Sequence, residues 1–337
     1  MTFKNTLHSV VDGNDLSEDA MISSMTQIME GDVTDSQLAS FLTALHVKGE
    51  TVAEIMGAAR VMRVKAEELD IKVTALVDTC GTGGDGADTF NISTASALVT
   101  AGAGVNVAKH GNRAVSSRSG SADVLKCMGV NLDANLSRVK RCVEEAGIGF
   151  LFAPLMHKAM KHAAIVRKEL GFRTIFNVLG PLTNPACAQA QVLGVFDVKW
   201  VQPLAQVLYG LGCKHAMVVH GSDGLDEITL TGESHVAELR NGEVSNYNLD
   251  PRKLGFKTCS SVDLKGGTPE ENAGMIQNIL NGESGPKRDI VVLNSAAAIY
   301  VAGKVCSMEQ GIQCAIDSIE SGKARNKLED LCRITCS

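Results

Sequence analysis

Asp78-Thr79-Cys80-Gly81-Thr82-Gly83-Gly84-Asp85 follows directly on a short β-branched run, Thr74 to Thr79, and leads to Asn91-Ile92-Ser93-Thr94 at the opening of a helix. Strand, glycine-rich loop and helix start, in that order, make a cradle for an anion. Glycines let backbone N–H groups approach a phosphate with no Cβ in the way, and the first turn of a helix adds free donors and a partial positive charge. Ser93 and Thr94 bring hydroxyl donors, or Ser93 turns its oxygen to a metal. The spacing is neither the GxxxxGK[ST] of P-loops nor the GxGxxG of dinucleotide folds. A bare strand-to-loop turn is the plain alternative, and the acidic, hydroxyl-rich continuation counts against it.

The same alternation continues downstream. Runs at Val105 to Ala108, Ile148 to Ala153, Gln191 to Phe196 and Ala216 to His220 are separated by helical stretches, the pattern of a mainly parallel sheet with ligands beyond the carboxyl ends of its strands. Upstream, the first seventy or so residues read as helix only. Thr34 with Gln37 and Thr51 with Glu54 spell capping boxes, and Lys48-Gly49 closes the helix between them. The fold class is therefore α/β: a small all-helical N-terminal domain over 1–72 and a larger α/β domain over 73–337. After Asp226 the runs Glu227 to Leu230, Ser234 to Arg240 and Val244 to Leu249, with a turn at Asn241-Gly242, predict hairpins. Thr268 with Pro269 and Glu271 opens a helix, Asp289 to Leu293 reads as a buried strand, and Ser307 with Gln310 starts a late helix that ends near Gly322.

Composition sets the outer limits. A chain of 337 residues with 45% hydrophobic content fills two cores, and 33 glycines against only 4% aromatics suit close helix packing and tight turns. A net charge of −6 gives no global positive field to draw in nucleic acid, so any phosphate site is local. The ten cysteines form no CxxC pair, and only Cys332 and Cys336 are close together, which predicts reduced thiols and a cytoplasmic protein. Met1 to Asp15 has no signal-peptide core and no apolar run nears the length of about 20 residues that spans a bilayer, so no membrane is expected.

Three further segments carry chemistry. Lys109-His110-Gly111-Asn112-Arg113, running on to Ser116-Ser117-Arg118-Ser119-Gly120-Ser121, follows a strand and precedes a helix from Ala122. Its cations and compact donors would wrap a pyrophosphate leaving group, or else form a solvated basic turn. His220 to Glu227 is an acidic loop after a buried strand, and Asp226 and Glu227 suit magnesium shared with a phosphate, or a plain polar turn. Phe152-Ala153-Pro154 leads into a helix from His157 to Leu170 and on to Asn177-Val178-Leu179-Gly180-Pro181-Leu182-Thr183-Asn184-Pro185. From position alone Arg167 faces solvent late in that helix, and His157 and His162 read as surface or capping residues.

Taken together, in order and spacing, these segments resemble the anthranilate phosphoribosyltransferases over nearly the whole chain. The resemblance implies that the N-terminal bundle is completed by helices within about 157–184 and hinged to the α/β domain, and that the chain forms a homodimer through the helical domain. It implies phosphoribosyl pyrophosphate over Gly81, Gly84, Asp85, Thr89, Asn91, Ile92, Ser93 and Thr94, with Lys109, His110, Gly111, Asn112, Arg113, Ala114, Val115, Ser116, Ser117 and Ser121 closing around it. Magnesium (Mg2+) would sit at Ser93, Asp226 and Glu227, and anthranilate near Gly81, Asn112, His157, Gly180 and Arg167, whose guanidinium would hold the carboxylate. No catalytic base is assigned; His110 and His157 are candidates for orientation. The implied reaction gives N-(5-phosphoribosyl)anthranilate and pyrophosphate in tryptophan biosynthesis. Pyrimidine nucleoside phosphorylases share the fold class, but their Arg and Lys signatures for the base are not apparent. A catalytically silent paralogue that binds nucleic acid would call for a basic groove or tail, which the acidic balance opposes.

Overall fold

The computed structural model describes residues 2–114 and 118–337. Four helices, Phe3–Val11, Glu18–Glu30, Asp35–Lys48 and Val52–Val64, open the chain. Both capping boxes form, with Thr34 accepting from the Gln37 N–H and Thr51 from the Glu54 N–H. Glu54 is buried and fully answered: Lys48 Nζ lies 3.0 Å away, and the N–H groups of Leu16 and Thr51 donate at 2.9 and 2.8 Å. Paired in this way, a carboxylate that would be costly to bury alone fixes the register of three segments.

The α/β domain is built on seven strands: β1 (Leu76–Gly81), β2 (Asn106–Gly111), β3 (Ile148–Phe152), β4 (Ala190–Gly194), β5 (His215–Gly221), β6 (Ser234–Arg240) and β7 (Glu243–Leu249). Their order is β3-β2-β1-β4-β5-β6-β7. β1 to β5 are parallel, and β6 and β7 extend the sheet antiparallel. The β6–β7 turn is the one expected, since Asn241 and Gly242 both adopt positive φ, +52° and +83°. Side chains alternate across the sheet as the pleat dictates: Met217 and Val219 join one core, Ala216 and Val218 the other. The second core also unites the N-terminal helices with Ala163, Val166, Ile175, Phe176, Leu179 and Leu182.

Several expectations fail for physical reasons. Glu227 to Leu230 forms no strand, because the Ile228 backbone is paired by a side chain: its N–H donates to Asn294 Oδ1 at 3.0 Å and its carbonyl accepts from Asn294 Nδ2 at 2.9 Å. Asp289 to Leu293 is not a strand but part of the helix Pro286–Val301, entered on Pro at its first turn. A short apolar run buried on every side has no period to read, and only the length of the element separates strand from helix. The helix expected from His157 to Leu170 begins at Lys161, after a short turn of helix at Ala153–Met156 and a 3-10 turn at Lys158–Met160. His157 itself, at φ −117° and ψ 61°, stands outside helical geometry and is buried.

Candidate active site

Chain progress across the sheet reverses between β1 and β4, the point beyond whose carboxyl strand ends open α/β sheets place their ligands. The two strands stay in register to Gly81 opposite Gly194. Asp226 comes down on both. A Cβ on Gly194 would lie 1.5 Å from the Asp226 carbonyl oxygen, and one on Gly81 2.3 Å from its Oδ2. The backbone contact makes glycine obligatory at Gly194, and glycine at Gly81 leaves room for the Asp226 carboxylate where the acidic loop after β5 meets the glycine-rich loop after β1.

The contacts that follow are acidic and crowded. Gly83 N–H donates to Asp226 Oδ2 at 2.7 Å, and the Asp226 N–H points at Asp85 Oδ2 from 3.4 Å. Glu227 is hydrogen bonded by the backbone and the hydroxyl of Ser93 at the start of the helix Ile92–Gly102. Burial, then the neighbouring Asp85 and Glu227, pushes the Asp226 carboxyl well above the usual carboxylate range. Burial raises Glu227 to about 7, with Lys109 pulling the other way. Such a cluster is short of positive charge and made of hard oxygens, the donor set that suits magnesium. Among the described residues no three His, Cys, Asp or Glu side chains could hold a metal unaided. Water and phosphate oxygens would have to complete its shell, as magnesium prefers.

Lys109 belongs to β2 rather than to the loop where the sequence reading put it, and it is buried. Its ammonium donates to the Thr79 carbonyl and, at 3.1 Å, to Ser93 Oγ, so it supports the acidic cluster from beneath. His110 and Gly111 are likewise strand residues. Beyond them the loop folds onto the helix Ser121–Cys127: Ser121 Oγ donates to the Asn112 carbonyl at 3.3 Å, the Ala114 N–H to Asp123 Oδ2 at 2.9 Å, and Arg113 pairs with Asp123 at 3.5 Å. Val115, Ser116 and Ser117 lie outside the described residues. Thr89 bridges to Lys265, and Asn91 Oδ1 accepts from Asn272 Nδ2 at 3.0 Å and Ser119 Oγ at 3.1 Å. The Ile92 side chain is in the core, leaving only its backbone for the loop, while Thr94 Oγ1 is buried without a partner. Asp78 and Asn184 stand inside the motifs read from the sequence but carry no assigned role there, and Asn272 is not singled out at all; all three are buried.

On the helical side, His110 Nδ1 lies 3.1 Å from the Gly180 carbonyl, which can only accept, so the proton sits on Nδ1. His157 leans in the same way on the Thr183 backbone carbonyl. The two rings are 5.1 Å apart, and Nε2 of each is buried with no partner. Burial drives His110 down to about 3 and His157 to about 4, so both are neutral near pH 7. Arg167, on the helix Lys161–Leu170, is half-buried rather than on an open solvent face, its guanidinium 5.1 Å from the centre of the Phe176 ring. Burial alone depresses its pKa, with no acid offsetting it.

Comparison with known proteins bears directly on this arrangement. The model for the a/b domain of a glycosyl transferase family matches residues 73–325, and that for the family's helical bundle domain matches residues 4–66. An anthranilate phosphoribosyltransferase from Acetivibrio thermocellus is 56% identical over 334 residues, 99% of this chain and 97% of its own. The chain belongs to the anthranilate phosphoribosyltransferase family. The crystal structure of the anthranilate phosphoribosyltransferase from Thermus thermophilus matches it with a TM-score of 0.94 at 45% identity, over 98% of this chain and 99% of that one. The anthranilate phosphoribosyltransferase of Saccharomyces cerevisiae, solved in complex with PRPP and Mg, matches with a TM-score of 0.90 at 28% identity, over 98% of each chain. The helical bundle and the mostly parallel sheet expected of an anthranilate phosphoribosyltransferase are both present.

Proposed function

We propose that the cleft between the glycine-rich loop and the helical segment transfers the 5-phosphoribosyl group of phosphoribosyl pyrophosphate to the amine of anthranilate, a pentosyl transfer of tryptophan biosynthesis. The observation that carries this reading is the pair of bare Nε2 acceptors on His110 and His157. An aromatic amine offers two N–H donors, and two neutral imidazoles 5.1 Å apart supply matching acceptors without taking up a proton at neutral pH. Arg167, half-buried and without an acid, supports a role for its planar fork in gripping the substrate carboxylate. Gly81, Asn112 and Gly180 are proposed to line the same approach.

The glycine-rich loop, the first turn of the helix Ile92–Gly102, Asn91, Thr89, Ser121 and the stretch Lys109 to Ser117 are proposed to hold the donor. Ser93, Asp226 and Glu227 would anchor magnesium, which when bound supplies positive charge to the pyrophosphate oxygens. As the C1–oxygen bond breaks, its electron pair leaves with pyrophosphate and the sugar becomes cationic. The amine lone pair then forms the C1–nitrogen bond, and the nitrogen sheds a proton to water. Anthranilate is already unprotonated near pH 7, so orientation by His110 and His157 matters more than a strong base. Lys109 holds Ser93 in place throughout.

A helical unit of 1–72, completed by helices within about 157–184, with 73–337 as the α/β unit, fits both the shared core and the break between the two family models. Val11, Val47, Val64 and Ile165 expose aliphatic side chains on that unit, which supports a homodimer joined there. No helix among the described residues is long and apolar enough to cross a membrane, and the ten cysteines are unpaired, in keeping with a cytoplasmic enzyme. The test follows anthranilate fluorescence when protein, anthranilate, phosphoribosyl pyrophosphate and magnesium are mixed. Decay that needs every component supports the reading, and folded protein that binds the donor without any decay overturns it.

A further inference from the structure

Just past the helix Lys161–Leu170, two adjacent side chains reach in opposite directions. Gly171, at φ +66°, ends the helix. Phe172 turns to the bundle, its ring 5.1 Å from that of His46 near the end of the helix Asp35–Lys48. Arg173 turns to the sheet. Its guanidinium lies 4.0 Å from the centre of the Phe196 ring, just beyond β4, and its Nη2 donates to the Gly84 carbonyl. Gly84 is the second residue of a diglycine turn, Gly83 and Gly84 at φ +67° and +77°, whose first N–H is already held by Asp226 at 2.7 Å. One short turn is thus pinned between an acid from the α/β unit and a cation from the helical unit.

We propose that Arg173 is a positioning residue for the transfer: stacked on Phe196 and bonded to the Gly84 carbonyl, it sets the diglycine turn in register with the helical segment that carries Arg167. The proposal rests on the reaction given above, in which the turn cradles the donor and Arg167 the acceptor. Arg173 follows Arg167 by six positions, so the linkage between the two holders is short. Reacting atoms have to meet at about 3–3.5 Å, and a misplacement of about 1 Å is enough to slow a reaction severely. An error in relative placement lowers kcat while leaving each substrate's own contacts intact. A guanidinium stacks by its face and donates from its edge at the same time; an ammonium does only one of these well.

The experiment compares steady-state kinetics and melting temperature for the unsubstituted chain, Arg173→Ala, Arg173→Lys, Phe196→Leu and the Arg173→Ala/Phe196→Leu pair. The expected result is a fall in kcat of about 10-fold or more in Arg173→Ala, with both KM values within about threefold and the melting temperature little changed. Arg173→Lys recovers only a small part of that loss. Phe196→Leu reproduces part of it and adds nothing in the double variant, because the two side chains act as one unit. The proposal is overturned if Arg173→Ala keeps kcat within about twofold, if Arg173→Lys restores it fully, or if the loss follows a lowered melting temperature. Absence of turnover in the unsubstituted chain overturns the reaction reading, and this proposal with it.

Discussion

The side-chain nitrogen of Asn184 donates to Asp78 Oδ2 at 2.8 Å, joining the segment after Gly180-Pro181-Leu182 to the middle of β1. The same nitrogen reaches the Ala108 carbonyl at 2.8 Å, and Asp78 Oδ1 accepts the His110 N–H at 3.1 Å. One buried carboxylate therefore aligns β1, β2 and the Gly180 segment. Burial raises its pKa to about 6, against the pull of Lys109 and of these donors. Asp78→Asn turns an NH2 toward one of two N–H donors, and an unmet buried donor costs about 1–3 kcal/mol. An unfolding free energy lowered by that amount is expected from denaturant titration, and an unchanged value would show that the carboxylate is dispensable for alignment.

The two buried histidines set a pH signature. Their folded pKa values, about 3 for His110 and about 4 for His157, lie below that of an unfolded histidine, about 6.5. Above that value neither state binds the proton and the pair has no effect. As pH falls from about 6.5 toward 4 the unfolded chain takes up protons that the folded chain refuses, and each histidine lowers stability by about 1.4 kcal/mol per pH unit. His157→Gln removes one such slope. Denaturation at a series of pH values should show the gap between parent and variant steady above pH 7 and narrowing below 6.5; a constant gap down to pH 4 contradicts the assignment.

Arg167→Ala should raise the KM for anthranilate at least about 10-fold, since a hydrogen bond to a charged group contributes about 1.5–3 kcal/mol and Arg167 is half-buried. The KM for phosphoribosyl pyrophosphate should move little. Equal effects on both substrates would remove Arg167 from the acceptor pocket.

Asp226→Asn and Glu227→Gln should each raise the magnesium concentration needed for half-maximal rate and lower the maximal rate. In chelator the same variants should melt above the parent, because two crowded buried acids are harder to accommodate than one acid and one amide. Variants that lose activity while keeping the parent's magnesium dependence would place the metal elsewhere.

The two glycines under Asp226 should respond differently to alanine. At Gly194 the new methyl meets a backbone carbonyl, which cannot move aside without the loop, whereas at Gly81 it meets the end of a side chain. Gly194→Ala should lose more than about 3 kcal/mol of stability, or fail to fold. Gly81→Ala should stay folded with a weakened magnesium response. Similar melting temperatures for the two would mean that the acidic loop is softer than its packing indicates.

Much of this arrangement was legible because it rests on local rules. Capping at Thr34 and Thr51, the Asn241-Gly242 turn and the strand before Gly81 each depend on neighbours in sequence. The residues that were missed depend on distant ones. Nothing near Asp78 says that Asn184 will meet it, and Asp289 to Leu293 looks like a strand because its burial comes from helices elsewhere in the chain. Lys109 looks like a loop cation in the sequence because the apolar run stops at Ala108, while β2 continues to Gly111 in step with β3. Arg167 shows the limit from the other side: its position suggested solvent, and only the three-dimensional packing reveals a half-buried cation without an acid.

The shared core of the N-terminal helices and the stretch from Ala163 to Leu182 also has a consequence for biosynthesis. A ribosome finishes the first four helices about a hundred residues before it makes the segment that completes their packing. Until then the bundle must wait with an apolar side uncovered, or borrow cover from elsewhere. Its closure is a late, long-range event, of the kind that slows folding and leaves a nascent chain open to aggregation and dependent on chaperones.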